Sequence, residues 1–449
     1  MLGFLYIRPQ EVFASMRTVT FSMVLALAVL GYVLDLGSRV TRPPRVSLLL
    51  VAALAFYGWA ALTVAISAPE MLNESPLYFA APGALFLATS LGVQTLYGFG
   101  AASKVLLIVT LFMAAVAIHQ GLSPRVCLVD GATSSSALLD SEGNVRTCKT
   151  RMDCAEAGPE GQDYLCEHVG LMGTRSDGGR VRYIGIFQDP NELACAMSMS
   201  LPFVFIWFGD RRAMARRVLP QLAPVAVVVA CIVATVMTKS RSGQISLVAT
   251  LGVYFIRRFG LRGVGIGGLL AIPVLLFGGR SDESSTEERL ECWSEAISMW
   301  REHPIFGVGA KQFGQHYYLT AHNSALLALA ETGPIGLFLW TTTLYIAFKI
   351  AIQVQQDFAN RPEAETARAA AFAMLAGLVG MVSSALFLSL TYHVAFWIQV
   401  GLAGTIQAAV WRHDPRWRLR WRWRDLALVV GLDVGVVAAI VVYLKLKGI

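Results

Sequence analysis

Residues 324–350 read SALLALAETGPIGLFLWTTTLYIAFKI, a mainly apolar run in which Glu331 and Lys349 carry the charges. A helix that crosses the hydrocarbon core of a bilayer needs about 20 such residues, so this run is long enough. The rest of the chain has the same character. Of its 449 residues, 55% are hydrophobic and 15% are charged, whereas about a quarter are charged in an ordinary soluble protein. The sequence therefore predicts an integral membrane protein.

Apolar segments of this kind recur along most of the chain. We count about twelve, which predicts an all-α polytopic membrane protein with a single membrane domain, residues 1–449. Two of them, Gly243 to Ile256 and Gly263 to Phe277, hold about 15 residues each and would need thinned bilayer or a re-entrant path. The pattern excludes a soluble globular enzyme, a disordered chain and a fibrous repeat.

Short basic segments set the predicted orientation, because arginine-rich loops usually face the cytoplasm. Such clusters lie in alternate loops: Arg39, Arg42 and Arg45; Arg211, Arg212, Arg216 and Arg217; Arg257, Arg258 and Arg262; and the run from Arg412 to Arg424. The complementary loops are then extracytoplasmic. We call residues 120–190 the first outer loop and residues 279–322 the second outer loop. They are the two long loops, so we expect the functional residues there.

Cysteine usage supports this orientation independently. The loop at residues 120–190 contains an even set, Cys127, Cys148, Cys154 and Cys166. In an oxidising compartment this set predicts two disulfides, with three possible pairings. A zinc site is the weaker interpretation, because the loop lacks a C-x-x-C pair. Cys195 and Cys231 are expected to be apolar helix residues.

Two cations lie where the orientation predicts an outer helix end. Lys239 and Arg241 belong to the run Thr238-Lys239-Ser240-Arg241-Ser242-Gly243. Either they extend to lipid phosphates, or they hold an anionic ligand. We favour the second interpretation, since Ser and Gly beside an arginine at the membrane edge leave room for close backbone approach.

The loop at residues 279–322 contains a predicted amphipathic helix. The residues from Ser285 to Glu288 have capping-box spacing, and an apolar stripe at helical intervals follows: Leu290, Trp293, Ile297 and Trp300. Arg289 lies beside this stripe, where its guanidinium could reach a lipid pyrophosphate. The plainer alternative is pairing with Glu287, Glu288 or lipid headgroups. The helix is expected to end at His303-Pro304.

A histidine lies where the chain re-enters the membrane, in the run His322-Asn323. It could accept a proton at neutral pH, or it could be a structural hydrogen-bonding residue. Glu331 follows nine residues later, about 13 Å along a straight helix. We therefore expect Glu331 to be a buried brace beside the kink at Gly333-Pro334, without contact to His322.

The end of the first outer loop carries a further candidate segment, Gln188-Asp189-Pro190-Asn191-Glu192. Asp189-Pro190-Asn191 is typical of a turn and helix N-cap, and this role alone would explain it. Backbone amides at such a helix start can also bind an anion, so Asp189 and Asn191 are candidate substrate-binding residues.

Two other charged segments are given structural roles. The acidic run Asp282, Glu283, Glu287 and Glu288 is interpreted as a solvated helix entrance, and we predict no metal there. The segment Trp411 to Asp425 and the net charge of +7 could suggest an anionic polymer. We interpret that segment as an interfacial anchor and expect no nucleic-acid partner.

Taken together, four ordered signatures resemble the O-antigen ligase and O-antigen polymerase superfamily of bacterial envelope glycan transferases. They are Phe187 to Ala194; Ser240-Arg241-Ser242-Gly243; Arg289 through Trp293 to His303-Pro304 and Gly307-Val308-Gly309; and Ala321-His322-Asn323 continuing to Glu331-Thr332-Gly333 and Gly336. The resemblance covers about residues 185–345. The cysteine-bearing insertion is not part of the shared pattern.

The resemblance implies an enzyme that moves a glycan en bloc from a polyprenyl (undecaprenyl) pyrophosphate to an acceptor hydroxyl. It implies no metal, no cofactor and no nucleotide sugar. Arg241 and Arg289 would hold the pyrophosphate, and His322 would accept or orient the hydroxyl proton. Asp189, Asn191, Lys239, His303 and Glu331 complete the predicted substrate-binding set.

The resemblance also implies a multi-pass protein of the bacterial inner membrane whose active site faces the periplasm. The acceptor would be another lipid-linked glycan for a polymerase, and lipid A core or a protein for a ligase, and the sequence does not decide between them. Two other classes stay open. A secondary transporter would carry ionisable residues near mid-bilayer and an inverted repeat. A non-catalytic scaffold would use the disulfide-bonded loop to bind a partner in polysaccharide assembly.

Overall fold

The fold was analysed in a computed structural model. It describes residues 1–37, 45–71, 75–129, 136–159, 161–184, 187–207, 218–260, 262–265, 267–268 and 284–449. Several segments discussed above fall outside these ranges: Arg39 and Arg42, the cluster from Arg211 to Arg217, most of the short segment from Gly263 to Phe277, and the acidic residues Asp282 and Glu283.

The described chain is mostly helical. In chain order its helices are α1 Leu2–Ile7, α2 Pro9–Val12, α3 Phe21–Gly37, α4 Leu48–Ser67, α5 Ser75–Ser90, α6 Leu96–Leu122, α7 Arg151–Ala155, α8 Pro190–Ser200, α9 Val204–Trp207, α10 Val218–Met237, α11 Arg241–Phe259, α12 Ser284–Glu302, α13 Phe313–His316, α14 Ser324–Asp357, α15 Glu365–Ala385, α16 Val394–His413 and α17 Trp423–Lys447. The expected helical membrane architecture is therefore present.

Within the described ranges, six helical segments are long and apolar enough to cross a bilayer: Leu48–Ser67, Leu96–Leu122, Ser324–Asp357, Pro362–Ala385, Val394–His413 and Trp423–Lys447. Shorter apolar helices lie at Phe21–Asp35, Ala81–Ser90 and Leu222–Met237. The count of about twelve spans stays a prediction. The predicted segment from Gly243 to Ile256 is part of a longer helix, because α11 runs from Arg241 to Phe259.

The long helix α14 is broken one third of the way along. Gly333 has φ 67° and ψ −175°, a conformation that is essentially restricted to glycine, and Pro334 has no N–H for the carbonyl four residues earlier. Donors outside the helix replace the lost bonds. The carbonyl of Ala330 accepts from the N–H of Val308 at 2.9 Å, and that of Glu331 accepts from Gly309 at 3.0 Å. The indole of Trp59 donates to the carbonyl of Thr332 at 2.8 Å.

This break explains the glycines that follow α12. Gly307 has φ 68°, and a Cβ there would collide with the backbone of Glu331. The segment 307–309 therefore lies directly against the broken turn, where its N–H groups meet the open carbonyls. Helix α4 holds the same segment from the other side, because the hydroxyl of Ser67 donates to the carbonyl of Gly307 at 2.9 Å.

Small residues let α8, α11 and α15 pack closely. A Cβ on Gly243 would collide with Ala194, and one on Gly380 would collide with Thr250. The hydroxyls of Ser198 and Ser246 are hydrogen-bonded at 2.6 Å. Because α11 begins at Arg241, this packing sets the position of the candidate residues at its start.

The first outer loop contains a small antiparallel sheet that the all-α prediction did not include. Its strands are β1 Arg125–Val129, β2 Ser136–Ala137 and β3 Tyr164–His168, in the order β2-β1-β3, and Cys127 lies opposite Cys166 in the β1–β3 register. Of the three possible pairings, the structure forms Cys127–Cys154 and Cys148–Cys166. Cys195 and Cys231 are free and buried in helices, as expected.

Two hydrogen bonds show how segments between the helices are attached at helix ends. The N–H of Val181, in the first loop, donates to the carbonyl of Met237 at the end of α10. The indole of Trp417 donates to Asp357 at the end of α14 at 3.0 Å. The predicted alternation of the loops and the compartment of each face stay predictions.

We predict that Gly333→Ala destabilises the protein. The backbone conformation alone should cost about 1–3 kcal/mol, and the added Cβ would meet the carbonyl of Ile305. Thermal unfolding of the purified protein in detergent should show a clearly lowered midpoint. The matched control is Gly252→Ala in α11, where a Cβ has open space, and its midpoint should stay close to that of the wild type. A wild-type midpoint for Gly333→Ala would contradict the proposed constraint.

Candidate functional site

Three of the predicted residues share one electrostatic cluster where the long loops meet. They are Asp189 before α8, Arg289 on α12 and His322 just before α14. Arg289 and Asp189 both act on the charge of His322, and Asp189 also acts on that of Arg289. The structure therefore brings together residues that are more than 130 positions apart in the sequence.

His322 is held at the mouth of α14 by its backbone. It has φ 48°, its N–H donates to the hydroxyl of Ser389 at 3.1 Å, and the next residue, Asn323, caps the helix. Burial and the Arg289 guanidinium lower the pKa of His322, while Asp189 and Glu288 oppose this shift. The imidazole is therefore neutral near pH 7 and has a nitrogen available to accept a proton.

Arg289 is half-buried on the first turns of α12. Burial lowers its pKa and Asp189 opposes the shift, yet a guanidinium stays charged at any physiological pH. The structure describes Glu287 and Glu288, and neither carboxylate forms an ion pair with Arg289. Pairing of Arg289 with these two residues is therefore not observed. Its planar fork is suited to bidentate binding of phosphate oxygens.

Asp189 and Asn191 take the structural role that the sequence indicated. The carboxylate of Asp189 caps α8 by accepting from the N–H of Asn191 at 2.6 Å. The side-chain oxygen of Asn191 accepts from Arg180 at 3.0 Å, and Arg180 also donates to the carbonyl of Thr238 at 3.1 Å. Arg180 therefore ties the start of α8 to the turn that contains Lys239 and Arg241.

The turn that presents Arg180 is built on the disulfide-bonded sheet. Glu167 on β3 is buried, and its carboxylate accepts from the N–H groups of Gly178 at 2.8 Å and Gly179 at 3.0 Å. Cys166, its neighbour in β3, is bonded to Cys148. The cysteine-bearing loop thus positions the guanidinium of Arg180.

Lys239 and Arg241 lie at the rim of this region. Lys239 has φ 51°, Ser240 caps α11 by accepting from the N–H of Gly243 at 3.0 Å, and Arg241 is the first residue of the helix. Both cationic side chains are exposed. Among the described residues, the side chain of Arg241 forms no hydrogen bond or ion pair with the cluster. The backbone just before it is held by the bond from Arg180 to the carbonyl of Thr238.

Glu331 holds the second outer loop in place. Its buried carboxylate accepts from the N–H of Lys311 at 2.9 Å and that of Phe313 at 3.0 Å. These contacts show Glu331 as a brace beside the break in α14, and it makes no contact with His322. A part in substrate binding stays a prediction.

His303 is not brought to the cluster. It directly follows α12 and is exposed. Fourteen residues of helix separate it from Arg289, or about 21 Å along the axis. The two residues lie at opposite ends of α12, and a part for His303 in substrate binding stays a prediction.

Several charged residues near the site were missed in the sequence analysis. The Lys311 ammonium lies 5.2 Å from the ring centroid of Tyr392 and interacts electrostatically with Glu331 and Glu192. Glu192 lies 4.0 Å from the imidazole of His393. Arg180 is a basic residue in an outer loop, which runs against the usual bias and could have been noticed. Lys311 gave no comparable sequence signal.

These features define the class of protein. It is a multi-pass membrane protein with a cationic site and a neutral imidazole at one end of its helix bundle. Residues 226–341 match the family model described as O-Antigen ligase. This match confirms the resemblance to the O-antigen ligase superfamily over that stretch of the chain. No curated protein shows a significant match to the chain.

We predict that Arg289 and Glu288 shift the pKa of His322 in opposite directions. Arg289→Gln removes a cation that opposes the imidazolium, so this pKa should rise towards its ordinary value. Glu288→Gln removes an anion that favours the imidazolium, so the pKa should fall further. Histidine-labelled protein can be titrated by NMR, with His322→Gln used to assign the signal. Shifts of the same sign in both variants would contradict the clustering of these groups.

Proposed function

We propose that the protein transfers a glycan from a polyprenyl pyrophosphate to an acceptor hydroxyl at the periplasmic face of the bacterial inner membrane. The observation that carries the proposal is the electrostatic interaction between Arg289 and His322, both of which lie within the matched stretch. A permanent cation can hold the leaving group there while a neutral imidazole meets the attacking hydroxyl.

In the proposed step the acceptor oxygen attacks the anomeric carbon of the glycan. A new glycosidic C–O bond forms, and the C–O bond to the pyrophosphate breaks. The pyrophosphate leaves with the electron pair, and its growing charge is stabilised by the guanidinium of Arg289. The hydroxyl proton passes to a ring nitrogen of His322. The charge needed for this step comes from arginine, so the proposal requires no metal ion.

Arg241 has a different place in the proposal. Its side chain is exposed, and it follows the turn that Arg180 holds at the carbonyl of Thr238. We propose that Arg241 and Lys239 bind the outer part of the pyrophosphate when the donor is present. Asn191 and Asp189 would keep α8 and Arg180 in position for this contact.

We predict that Arg289→Ala lowers kcat/KM for glycan transfer by about 10²–10³, the range seen when a group that stabilises transition-state charge is removed. His322→Gln should cost less, because a pyrophosphate is already a good leaving group, and it should flatten the pH dependence of kcat. Activity is measured as formation of the glycosidic product by purified protein in detergent with a polyprenyl-pyrophosphate glycan.

The matched control for this experiment is Arg301→Ala. Arg301 is exposed in the last turn of α12, far from Arg289, and its removal should leave activity near that of the wild type. Full activity in Arg289→Ala would refute the assigned role. Product formed in detergent, without closed compartments, also separates a transferase from a transporter or a scaffold. In a deletion strain, single capped repeats would indicate a polymerase, and free long chains would indicate a ligase.

A further inference from the structure

A second charged cavity lies at the other end of α14. Its volume is about 460 Å³, and its lining includes Tyr345, Phe348 and Lys349 from α14 together with Arg420, Arg422 and Arg424. Helix α14 has 34 residues, so even with its break at Gly333 the cavity lies several helical turns from the end that carries His322. The cavity is therefore remote from His322 and independent of the proposed transfer reaction.

The walls of this cavity are fixed by hydrogen bonds. The N–H of Arg420 donates to the side chain of Gln353 at 2.9 Å, and Gln353 donates to the carbonyl of Arg418 at 2.9 Å. The hydroxyl of Tyr345 donates to Asp425 at 2.6 Å. These bonds hold the segment before α17 against the end of α14, so the cavity is a formed feature of the fold.

The charges around the cavity do not cancel. Lys349 is paired with Asp425, and Arg420 is paired with Asp357. Arg422 and Arg424 have no carboxylate within ion-pair distance in the part of the chain that the structure describes. Two guanidinium charges therefore remain at the cavity. Planar guanidinium groups without carboxylate partners are suited to binding phosphate oxygens.

The surroundings of the cavity indicate lipid. Only 11% of the apolar stretch of helix α17 is buried inside the protein. Most of this helix therefore faces the bilayer. Trp423, at the start of α17, is 75% exposed, as expected for a tryptophan at the membrane interface. Phe348 and Ile352 give the cavity an apolar wall. A ligand with a charged head and an acyl chain would match both parts.

We propose that this cavity binds the phosphate group of an anionic phospholipid from the leaflet that faces the Arg412 to Arg424 segment. The headgroup phosphate would lie between Arg422 and Arg424, and the acyl chains would follow the gap between α14 and α17. Basic pockets between membrane helices bind anionic headgroups in this way. The lipid would fasten α17 to the rest of the bundle.

The test is native mass spectrometry of the detergent-purified protein with added phosphatidylglycerol. The double variant Arg422→Gln, Arg424→Gln should bind this lipid about 25-fold more weakly, because each guanidinium near an anionic headgroup contributes about fivefold. The control double variant Arg258→Gln, Arg416→Gln removes the same charge from exposed positions outside the cavity. It should bind within about twofold of the wild type.

A stability measurement separates lipid binding from misfolding and from free phosphate. Phosphatidylglycerol should raise the thermal unfolding midpoint of the wild type but not of the cavity variant, while both share one midpoint in phosphatidylcholine. Equal loss of binding in the two double variants would overturn the proposal. So would stabilisation by inorganic phosphate that matches the effect of the lipid, since that would assign the cavity to a soluble anion.

Discussion

The break in α14 is the constraint on which the outer face of the protein depends. A helix interrupted at Gly333-Pro334 exposes carbonyls that a bilayer cannot hydrate, and each must find a donor within the protein. The donors come from Val308, Gly309 and Trp59. Backbone N–H groups of the second outer loop therefore complete the hydrogen bonding of α14. They hold the loop against the broken turn of this helix. Glu331 extends the same attachment to Lys311 and Phe313, which fixes the chain that leads to His322.

The charges at the site leave a positive field that a bound anion would balance. Burial and the Arg289 guanidinium lower the pKa of His322, while Asp189 and Glu288 oppose this shift. A diphosphate bound to Arg289 would cancel this field, so the imidazole would hold a proton more readily once the donor is in place. Binding of the donor and proton acceptance by His322 would then be coupled through one guanidinium, without any movement of the backbone.

Local sequence patterns predicted the helical membrane class, the amphipathic helix with Arg289, the cap at Asp189 and the brace at Glu331. Each depends on periodicity, capping or a helix-breaking pair within a few residues. The β1–β3 sheet and the disulfide pairing depend on contacts between distant segments, so the sequence left three pairings open. The role of Arg180 was missed for the same reason, since Asn191 and Thr238 reach it from separate elements. His303 lies at the far end of α12 from Arg289, so its predicted part in substrate binding does not follow from the position of the cluster.

The matched stretch of the chain is not sufficient to form the site. Asp189 and Asn191 precede it, and Arg180 reaches its Thr238 from the first outer loop. That arginine is presented by a turn whose amides bind Glu167, and Glu167 is adjacent to the Cys148–Cys166 bond. Since Lys239 and Arg241 follow Thr238 directly, their position depends on the same chain of contacts. The cysteine-bearing loop is therefore connected by hydrogen bonds to the backbone that precedes the cationic rim, so the rim depends on a segment that lies outside the matched stretch.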